Sequence, residues 1–176
     1  MMISRSRLMA RIALFSGLIY VLSWATAWLP NVNSIFFVTF LAGLLWGLTS
    51  GVAVGALGMG LWTTFNPYGP APIPMMIVQV IGAAGSGAVG AIFRSAGWYA
   101  LSYRLRPVML VVAALLCTVL YYLPVNGVDA WLFQPFWPRF VAGLPFVGLS
   151  LISNIIIFPV FFGAALPLMR REGLAV

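Results

Sequence analysis

The chain has 176 residues, of which 63% are hydrophobic and only 6% are charged. A soluble domain carries about 25% charged residues, so this chain cannot cover a globule with polar surface, and we expect lipid to surround it. It has no His and no Lys, two acids (Asp129 and Glu172) and one thiol (Cys117). This composition excludes a Schiff-base lysine, a histidine-based triad and a Cys/His metal site. We therefore expect no enzymatic activity, no metal and no cofactor.

The net charge is +7, and every positive side chain is an arginine. In a soluble protein this excess would suggest binding to nucleic acid. Here the arginines lie at the ends of apolar segments, which is the pattern that sets the orientation of membrane proteins. We therefore expect no nucleic-acid partner.

Six apolar segments predict an all-α polytopic membrane protein, with residues 1–176 forming a single transmembrane domain. Their approximate ranges are 12–29, 34–46, 52–65, 75–93, 108–123 and 144–168. The second and third segments are short for a crossing, which takes about 20 residues. They could form one bent element, but Gly and Ser between residues 47 and 51 favour a hairpin.

The first apolar segment could instead be the core of a signal peptide, because three arginines precede it and Ala25-Thr26-Ala27 resembles a cleavage site. Its apolar run is about 18 residues long, whereas a signal core usually has about 7–15. We therefore expect this segment to remain as a transmembrane helix.

The segments that join the apolar runs also have a clear character. Residues 30–33 predict a turn, and the proline-rich residues 66–74 predict an ordered loop. Residues 124–143 predict the longest loop. With six crossings and a cytoplasmic N-terminus, eight of the nine arginines are cytoplasmic and only Arg139 is outside. The positive-inside rule thus favours cytoplasmic N- and C-termini.

Small residues recur every four positions in several of these segments. Such spacing lets helix backbones approach closely in lipid, where burial of apolar surface cannot drive association. The stripes could pack within the chain or could dock a partner helix. The residues predicted to dock a partner are Ala13, Gly17, Gly47, Gly51 and Gly55.

Polar residues within apolar segments, and aromatic residues beside polar ones in the outer loops, are the candidates for a binding site. Gln79 and Asn154 lie inside predicted crossings, where polar groups are costly and often functional. Pro159 frees the carbonyl of Ile155, which could face a cavity or be satisfied by a neighbouring helix. The outer aromatic residues could form an interfacial belt or the wall of a pocket. The predicted substrate-binding residues are Asn66, Tyr68, Gln79, Trp131, Trp137, Arg139 and Asn154, with Arg139 pairing either with a ligand anion or with Asp129.

With these features the chain resembles the substrate-binding S components of energy-coupling factor (ECF) vitamin transporters. The resemblance rests on the six-segment layout and on three local features. They are Leu41-Ala-Gly-Leu-Leu-Trp-Gly47 running on to Gly51-Val-Ala-Val-Gly-Ala-Leu-Gly58, then Phe65-Asn-Pro-Tyr-Gly-Pro70 before Gln79-Val-Ile-Gly82, and Ala13-Leu-Phe-Ser-Gly17. The family typically has Ala-x-x-x-Ala in helix one, so Gly17 departs from its pattern.

The resemblance implies a subunit of the prokaryotic cell (inner) membrane that binds one vitamin-like molecule near the outer face. It implies as partners a transmembrane coupling subunit and two cytoplasmic ATPases. Any ATP hydrolysis would belong to those partners, because the chain has no Gly-x-x-x-x-Gly-Lys phosphate loop. The alternative is a non-transporting membrane scaffold of the MreD-like, cell-shape type, which has a similar size and number of crossings.

Overall fold

The computed structural model describes residues 5–29, 31–32 and 34–174, and over these residues it is all-helical without a β-strand. Its helices are α1 (Arg5–Ala25), α2 (Ile35–Trp46), α3 (Leu48–Phe65), α4 (Ile73–Ser95), α5 (Leu105–Leu132) and α6 (Phe136–Arg171), with a short 3-10 turn at Trp98–Ala100. The turn predicted at residues 30–33 lies partly outside the described residues.

Five of the described helices are long and apolar enough to cross a membrane, whereas α2 is not. With 12 residues, α2 is about 18 Å long and does not span a hydrocarbon core of about 30 Å by itself. Every residue from Ile35 to Leu45 is buried. A helix that is apolar on all faces belongs in the interior, and α2 is accordingly the central helix of the bundle.

The predicted break after α2 is present but is shorter than expected. Only Gly47 separates α2 from α3, and α3 begins at Leu48 rather than near Val52. The φ angle of Gly47 is +86°, a conformation that glycine adopts without the steric cost that a Cβ would bring. One residue is therefore enough to reverse the chain.

Three glycines bring α2, α3 and α4 into backbone contact. A Cβ added at Gly51 would lie 2.6 Å from the Cα of Gly43 and 2.7 Å from the carbonyl oxygen of Gly87. These distances leave no room for a side chain at the crossing. The small-residue stripes therefore pack within the chain here, one of the two uses that the sequence left open.

The predicted loop at residues 124–143 is mostly helical, which corrects the sequence-based boundaries. α5 continues to Leu132 and α6 begins at Phe136, so only three residues connect them. The extension is stabilised across the two helices: Asn126 Nδ2 donates to the carbonyl of Phe140 at 2.8 Å, and Arg139 pairs with Asp129. Cross-helix polar contacts of this kind do not appear as a periodic pattern in a sequence.

The two ends of the described chain meet at one end of the bundle. Arg11 Nη1 lies 2.7 Å from Glu172 Oε2, and Trp46 Nε1 donates to the same oxygen at 3.2 Å. The guanidinium of Arg94 donates to carbonyls at the C-terminus of α2, among them that of Leu45. Eight of the nine arginines lie at this arginine-rich end, since α1 and α5 begin there and α4 and α6 end there. Arg139 lies at the opposite end.

Candidate functional site

Two adjoining cavities lie at the end of the bundle that carries Arg139. We call them the first lobe, of about 330 Å³, and the second lobe, of about 540 Å³. Four residues line both lobes and form their shared wall: Asn31, Gln79, Tyr122 and Val125. These residues come from the α1–α2 connection, α4 and α5. The lobes therefore form one candidate site with a polar partition.

The first lobe lies above the beginning of α2 and is partly closed by a contact between two connecting segments. Ile35, the first residue of α2, and Val32 both line it. Tyr68, in the α3–α4 connection, donates its hydroxyl to the carbonyl of Ala27, and both residues line the lobe. The side walls are the hydroxyl-bearing and aromatic residues Ser23, Thr26, Trp62, Tyr121 and Tyr122.

The second lobe lies between α4, α5 and α6 and contains the only ion pair at this end of the described chain. Arg139 Nη2 lies 3.2 Å from Asp129 Oδ1, and Nε contacts the other carboxylate oxygen. The Arg139 guanidinium also lies over the ring of Phe133, 4.8 Å from its centroid. Of the two pairings that the sequence left open for Arg139, the structure contains the one with Asp129. The remaining wall is largely apolar, with Met75, Ala142, Phe146 and Val147.

The shared wall carries the most specific polar groups of the site. Thr63 is 2% exposed and donates its hydroxyl to Gln79 Oε1 at 2.6 Å. Tyr122 donates its hydroxyl to Asn31 Oδ1 at 3.0 Å. The backbone carbonyl of Asn31 accepts in turn from Ser150 at 3.0 Å. Asn31 has a φ of +57°, a conformation that Asn tolerates better than most residues. The α1–α2 connection is thus fixed against the middle of α6.

Three of the seven predicted substrate-binding residues line the cavity, namely Tyr68, Gln79 and Arg139. Trp131 and Trp137 do not, because they point outward from the α5–α6 extension with 63% and 71% of their surfaces exposed. The predicted loop would have let these rings fold over the site, whereas the observed helices turn them away from it. They suit the interfacial-belt interpretation of the aromatic residues.

The other two predicted residues have structural contacts. Asn66 Nδ2 donates to the carbonyls of Trp62 and Gly69, and its Oδ1 accepts from the amide of Tyr68. Asn66 therefore closes the end of α3 and shapes the following turn. Asn154 is 1% exposed and donates to Thr118 Oγ1 at 3.0 Å, one helical turn from Ser150 on the side away from the cavity.

Sequence reasoning did not select three residues of the shared wall: Asn31, Tyr122 and Val125. Asn31 lies in the predicted turn, and Tyr122 is one of the outer aromatic residues, for which a belt and a pocket wall were both open. The available signal was the pair of asparagines in a connection of few residues before a helix that is apolar except for Thr39. A polar connection in that position must either lie in water or bring its own hydrogen-bond partners into the bundle.

The residues predicted to dock a partner fall into two groups. Ala13 is exposed on α1, and a Cβ added at Gly17 or Gly47 would meet open space. In contrast, Gly51 and Gly55 are buried, and a Cβ added at Gly55 would lie 2.6 Å from the carbonyl oxygen of Ala83. Gly51 and Gly55 are thus used inside the bundle and are not on a surface that a partner reaches. Ala13, Gly17 and Gly47 therefore remain available for contact with a partner.

A larger groove of about 760 Å³ lies at the arginine-rich end, between Gly47, Ala91, Tyr99 and Leu174. Its one charged wall residue, Arg94, already donates to the carbonyls at the end of α2. It therefore offers a ligand fewer oriented polar groups than the shared wall does, and we regard the two-lobed cavity as the better candidate site. Over residues 5–29, 31–32 and 34–174, no three His, Cys, Asp or Glu side chains come together in a potential metal site.

Comparison with known proteins adds no identification. No family model, no curated protein and no solved structure matches the chain.

Proposed function

We propose that the chain is a membrane-embedded substrate-binding subunit of an ECF-type importer. In this proposal it captures a vitamin-like or vitamin-precursor-like small molecule at the outer face of a prokaryotic cell membrane. It then delivers the molecule inward together with a coupling subunit and two cytoplasmic ATPases. The observation that carries the proposal is the two-lobed cavity, which is lined by aromatic and aliphatic side chains together with a few polar ones and whose shared wall holds oriented amides. Small-molecule sites typically combine these two properties.

The charge distribution supports an orientation in which the cavity opens outward. Arginines concentrate in cytoplasmic segments, and eight of nine lie at the end opposite the cavity. Such an orientation places both termini inside, as six crossings require. The second crossing is then made by α2 together with the connection before it. Non-helical backbone is tolerated at membrane depth where protein buries it, and Ser150 and Tyr122 donate to the backbone carbonyl and the side-chain carbonyl of Asn31.

The size and lining of the cavity support a small, flat ligand. The lobes measure about 330 and 540 Å³, within the range of about 300–1,000 Å³ that is usual for small-molecule sites. Aromatic rings line both lobes, including Trp62 and Tyr121 in the first and Phe133 and Phe146 in the second. The MreD-like alternative requires no such cavity, so this feature favours the transport proposal.

The face of α1 supports a partner-docking role at the same time. Leu14 is 71% exposed, and it lies between Ala13 and the sterically open Gly17. Small residues flanked by apolar ones are suited to close contact with another transmembrane helix. We propose this face as the one that meets the coupling subunit.

A ligand screen on detergent-purified protein tests the proposal. We expect at least one water-soluble vitamin or vitamin precursor to raise the unfolding temperature in a saturable way, because a ligand that binds only the folded state stabilises it. Val125→Trp should remove this response, since Val125 lines both lobes. Leu123→Trp is the matched control, because Leu123 is exposed on the same helix and lines neither lobe. Absence of any response in the wild-type protein would refute the proposal, and so would an equal loss in both variants.

A further inference from the structure

The side-chain amides of Gln79 and Asn31, in the shared wall, are both held through their carbonyl oxygens. Gln79 Oε1 accepts from Thr63, and Asn31 Oδ1 accepts from Tyr122. In both cases a hydroxyl hydrogen occupies the carbonyl oxygen of the amide. One lone pair of each carbonyl oxygen is thereby used, whereas both hydrogens of each NH₂ group remain for other contacts.

No hydrogen bond among the described residues uses Gln79 Nε2 or Asn31 Nδ2. Neither atom is a buried atom without a partner, and such atoms are confined to Thr39, Ser86 and Asn154 within the described chain. The two NH₂ groups are therefore accessible, in residues that line both lobes. Together they offer four N–H donors to whatever fills the cavity.

Several acceptors in residues that line the lobes already accept a hydrogen bond. The backbone carbonyl of Asn31 accepts from Ser150, and that of Ala27 accepts from Tyr68. Both carboxylate oxygens of Asp129 accept from Arg139. A ligand that carries only hydrogen-bond donors would therefore compete with the bonds that these carbonyl and carboxylate oxygens already accept.

The exception is the wall formed by α1. Ser23 in α1 and Thr26 directly after it donate their hydroxyl hydrogens to carbonyls of α1, those of Ile19 and Leu22. Their oxygens keep free lone pairs in the first lobe. A ligand that carries donors as well as acceptors would therefore turn its donor edge toward α1 and its acceptor edge toward Gln79.

The beginning of α2 adds to the donor character of the first lobe. The first backbone N–H groups of a helix have no partner within the helix, and the side chain of Ser34 does not cap them. Ile35, the first residue of α2, lines the first lobe. A helix N-terminus also favours negative charge, so its effect has the same sign as that of the two amides.

We infer that the cavity selects flat ligands whose edge toward Gln79 and Asn31 carries hydrogen-bond acceptors, such as a carboxylate, a carbonyl or a ring nitrogen, and rejects flat cations of the same size. Thr63 is the positioning residue, because its hydroxyl fixes which end of the Gln79 amide faces the cavity. The inference deepens the proposed function and rests on it, since it names the class of ligand for the same cavity.

Two matched sets of probes test the inference. The acceptor set contains benzoate, nicotinate and pyrazine-2-carboxylate, and the cation set contains benzamidine, benzylamine and protonated 4-aminopyridine. Binding is measured on the detergent-purified full chain at neutral pH, by the dependence of the unfolding temperature on probe concentration. We expect the acceptor set to bind at least about tenfold more tightly than the cation set, because a hydrogen bond to a charged group contributes enough for that ratio.

Gln79→Glu reverses the polarity of the shared wall with little change of shape. We expect it to weaken the binding of the acceptor set by at least about tenfold and to reduce or invert the preference over cations. Gln134→Glu is the matched control, because Gln134 is an exposed amide near the same end that lines neither lobe. It should leave the preference unchanged.

Thr63→Val tests the positioning role without adding charge. Loss of the hydroxyl frees Gln79 Oε1 and lets the amide rotate, so the preference for acceptors should fall while cation binding rises. Thr63→Ser keeps the hydroxyl and should therefore keep the wild-type preference for acceptors over cations. A purely structural role of Thr63 would not predict this difference between the two variants.

The outcomes separate the inference from the function on which it rests. A wild-type protein that binds cations as well as acceptors, or variants at Gln79 and Thr63 that keep the wild-type preference, would overturn the inference and leave the proposed binding function intact. A protein that responds to no probe and to no vitamin or precursor would overturn both.

Discussion

The crossing of α2, α3 and α4 makes a sharp prediction about a single methyl group. Gly87→Ala would place a Cβ against the carbonyl carbon and oxygen of Gly51 and 2.7 Å from its Cα, whereas ordinary contact lies at 3.4–4 Å. The atoms that it meets are backbone atoms of α3, which cannot turn aside as a side chain can. The helices must therefore separate by about 1 Å.

The cost of that separation follows from the number of contacts that it loosens. Gly43 of α2 packs against the same part of α4, since a Cβ added there would meet the Gly87 backbone. Displacing α4 would thus disturb both of its glycine-mediated interfaces at once. Overpacking of a tight interior costs about 1–3 kcal/mol, and we expect Gly87→Ala to lie at the upper end of this range.

Gly85→Ala is the matched control on the same helix. Its Cβ would have only Leu120 Cδ1 nearby, at 3.9 Å, so the change adds a methyl group without a clash. Alanine has a higher helix propensity than glycine, by about 1 kcal/mol, so this variant should be neutral or more stable. The free energy of unfolding in mixed detergent micelles measures both. A difference below about 0.5 kcal/mol between the two variants would refute the close backbone contact, since that is the ordinary effect of a substitution away from the core.

Three further predictions concern other parts of the chain. The free energy of unfolding of Asn154→Leu should lie within about 1 kcal/mol of the wild-type value, because Asn154 Oδ1 has no hydrogen-bond partner to lose. Asn154→Ala should lower it by about 2–3 kcal/mol, because the smaller side chain leaves a space. The opposite order of the two variants in a detergent unfolding assay would contradict this prediction. Asp129→Asn should lower the free energy of unfolding by less than about 1 kcal/mol in the same assay, because the ion pair with Arg139 is partly exposed. A loss above about 2 kcal/mol would contradict this, since such a loss is expected only for a buried ion pair. In a Cys117→Ala background, a membrane-impermeant maleimide should label Tyr68→Cys in intact cells and Tyr103→Cys only after permeabilisation, and the reverse pattern would overturn the proposed orientation.

Composition and residue spacing were sufficient to predict the helical class and the number of helices in the described residues, but only some of the helix boundaries. The apolar runs 34–46 and 75–93 agree closely with α2 and α4, whereas α1 begins at Arg5 and ends at Ala25 rather than spanning residues 12–29, and α3 begins at Leu48 rather than near residue 52. The prediction of a loop over residues 124–143 is wrong, because α5 continues to Leu132 and α6 begins at Phe136. The helices continue there because Asn126 and Asp129 find partners on α6. Those partners are ten or more residues away in sequence, so no local pattern indicates them.

The candidate site was only partly accessible to the same reasoning. Gln79 stood out because an amide in an apolar helix is costly unless it is used. Asn31 did not, because a polar residue in a connecting segment is ordinary unless the segment enters the bundle. Its position depends on Tyr122 and Ser150, which belong to helices far along the chain. The exposed tryptophans were selected for their type, but type alone does not determine whether a ring faces a cavity or lipid.

The short length of α2 accounts for the position of the cavity. At the arginine-rich end the glycine contacts hold α2, α3 and α4 together without space for side chains. Toward the other end α2 stops at Ile35, while its neighbours continue past it. The space above α2 is filled only in part by the α1–α2 connection, because a connection with polar backbone must place Asn31 where hydroxyl partners exist. Because no helix fills this space, the side-chain amides of Asn31 and Gln79 line it instead of being packed against a neighbouring helix. Lengthening α2 would fill the first lobe, so a binding function for the cavity depends on a helix that is too short to cross the membrane by itself.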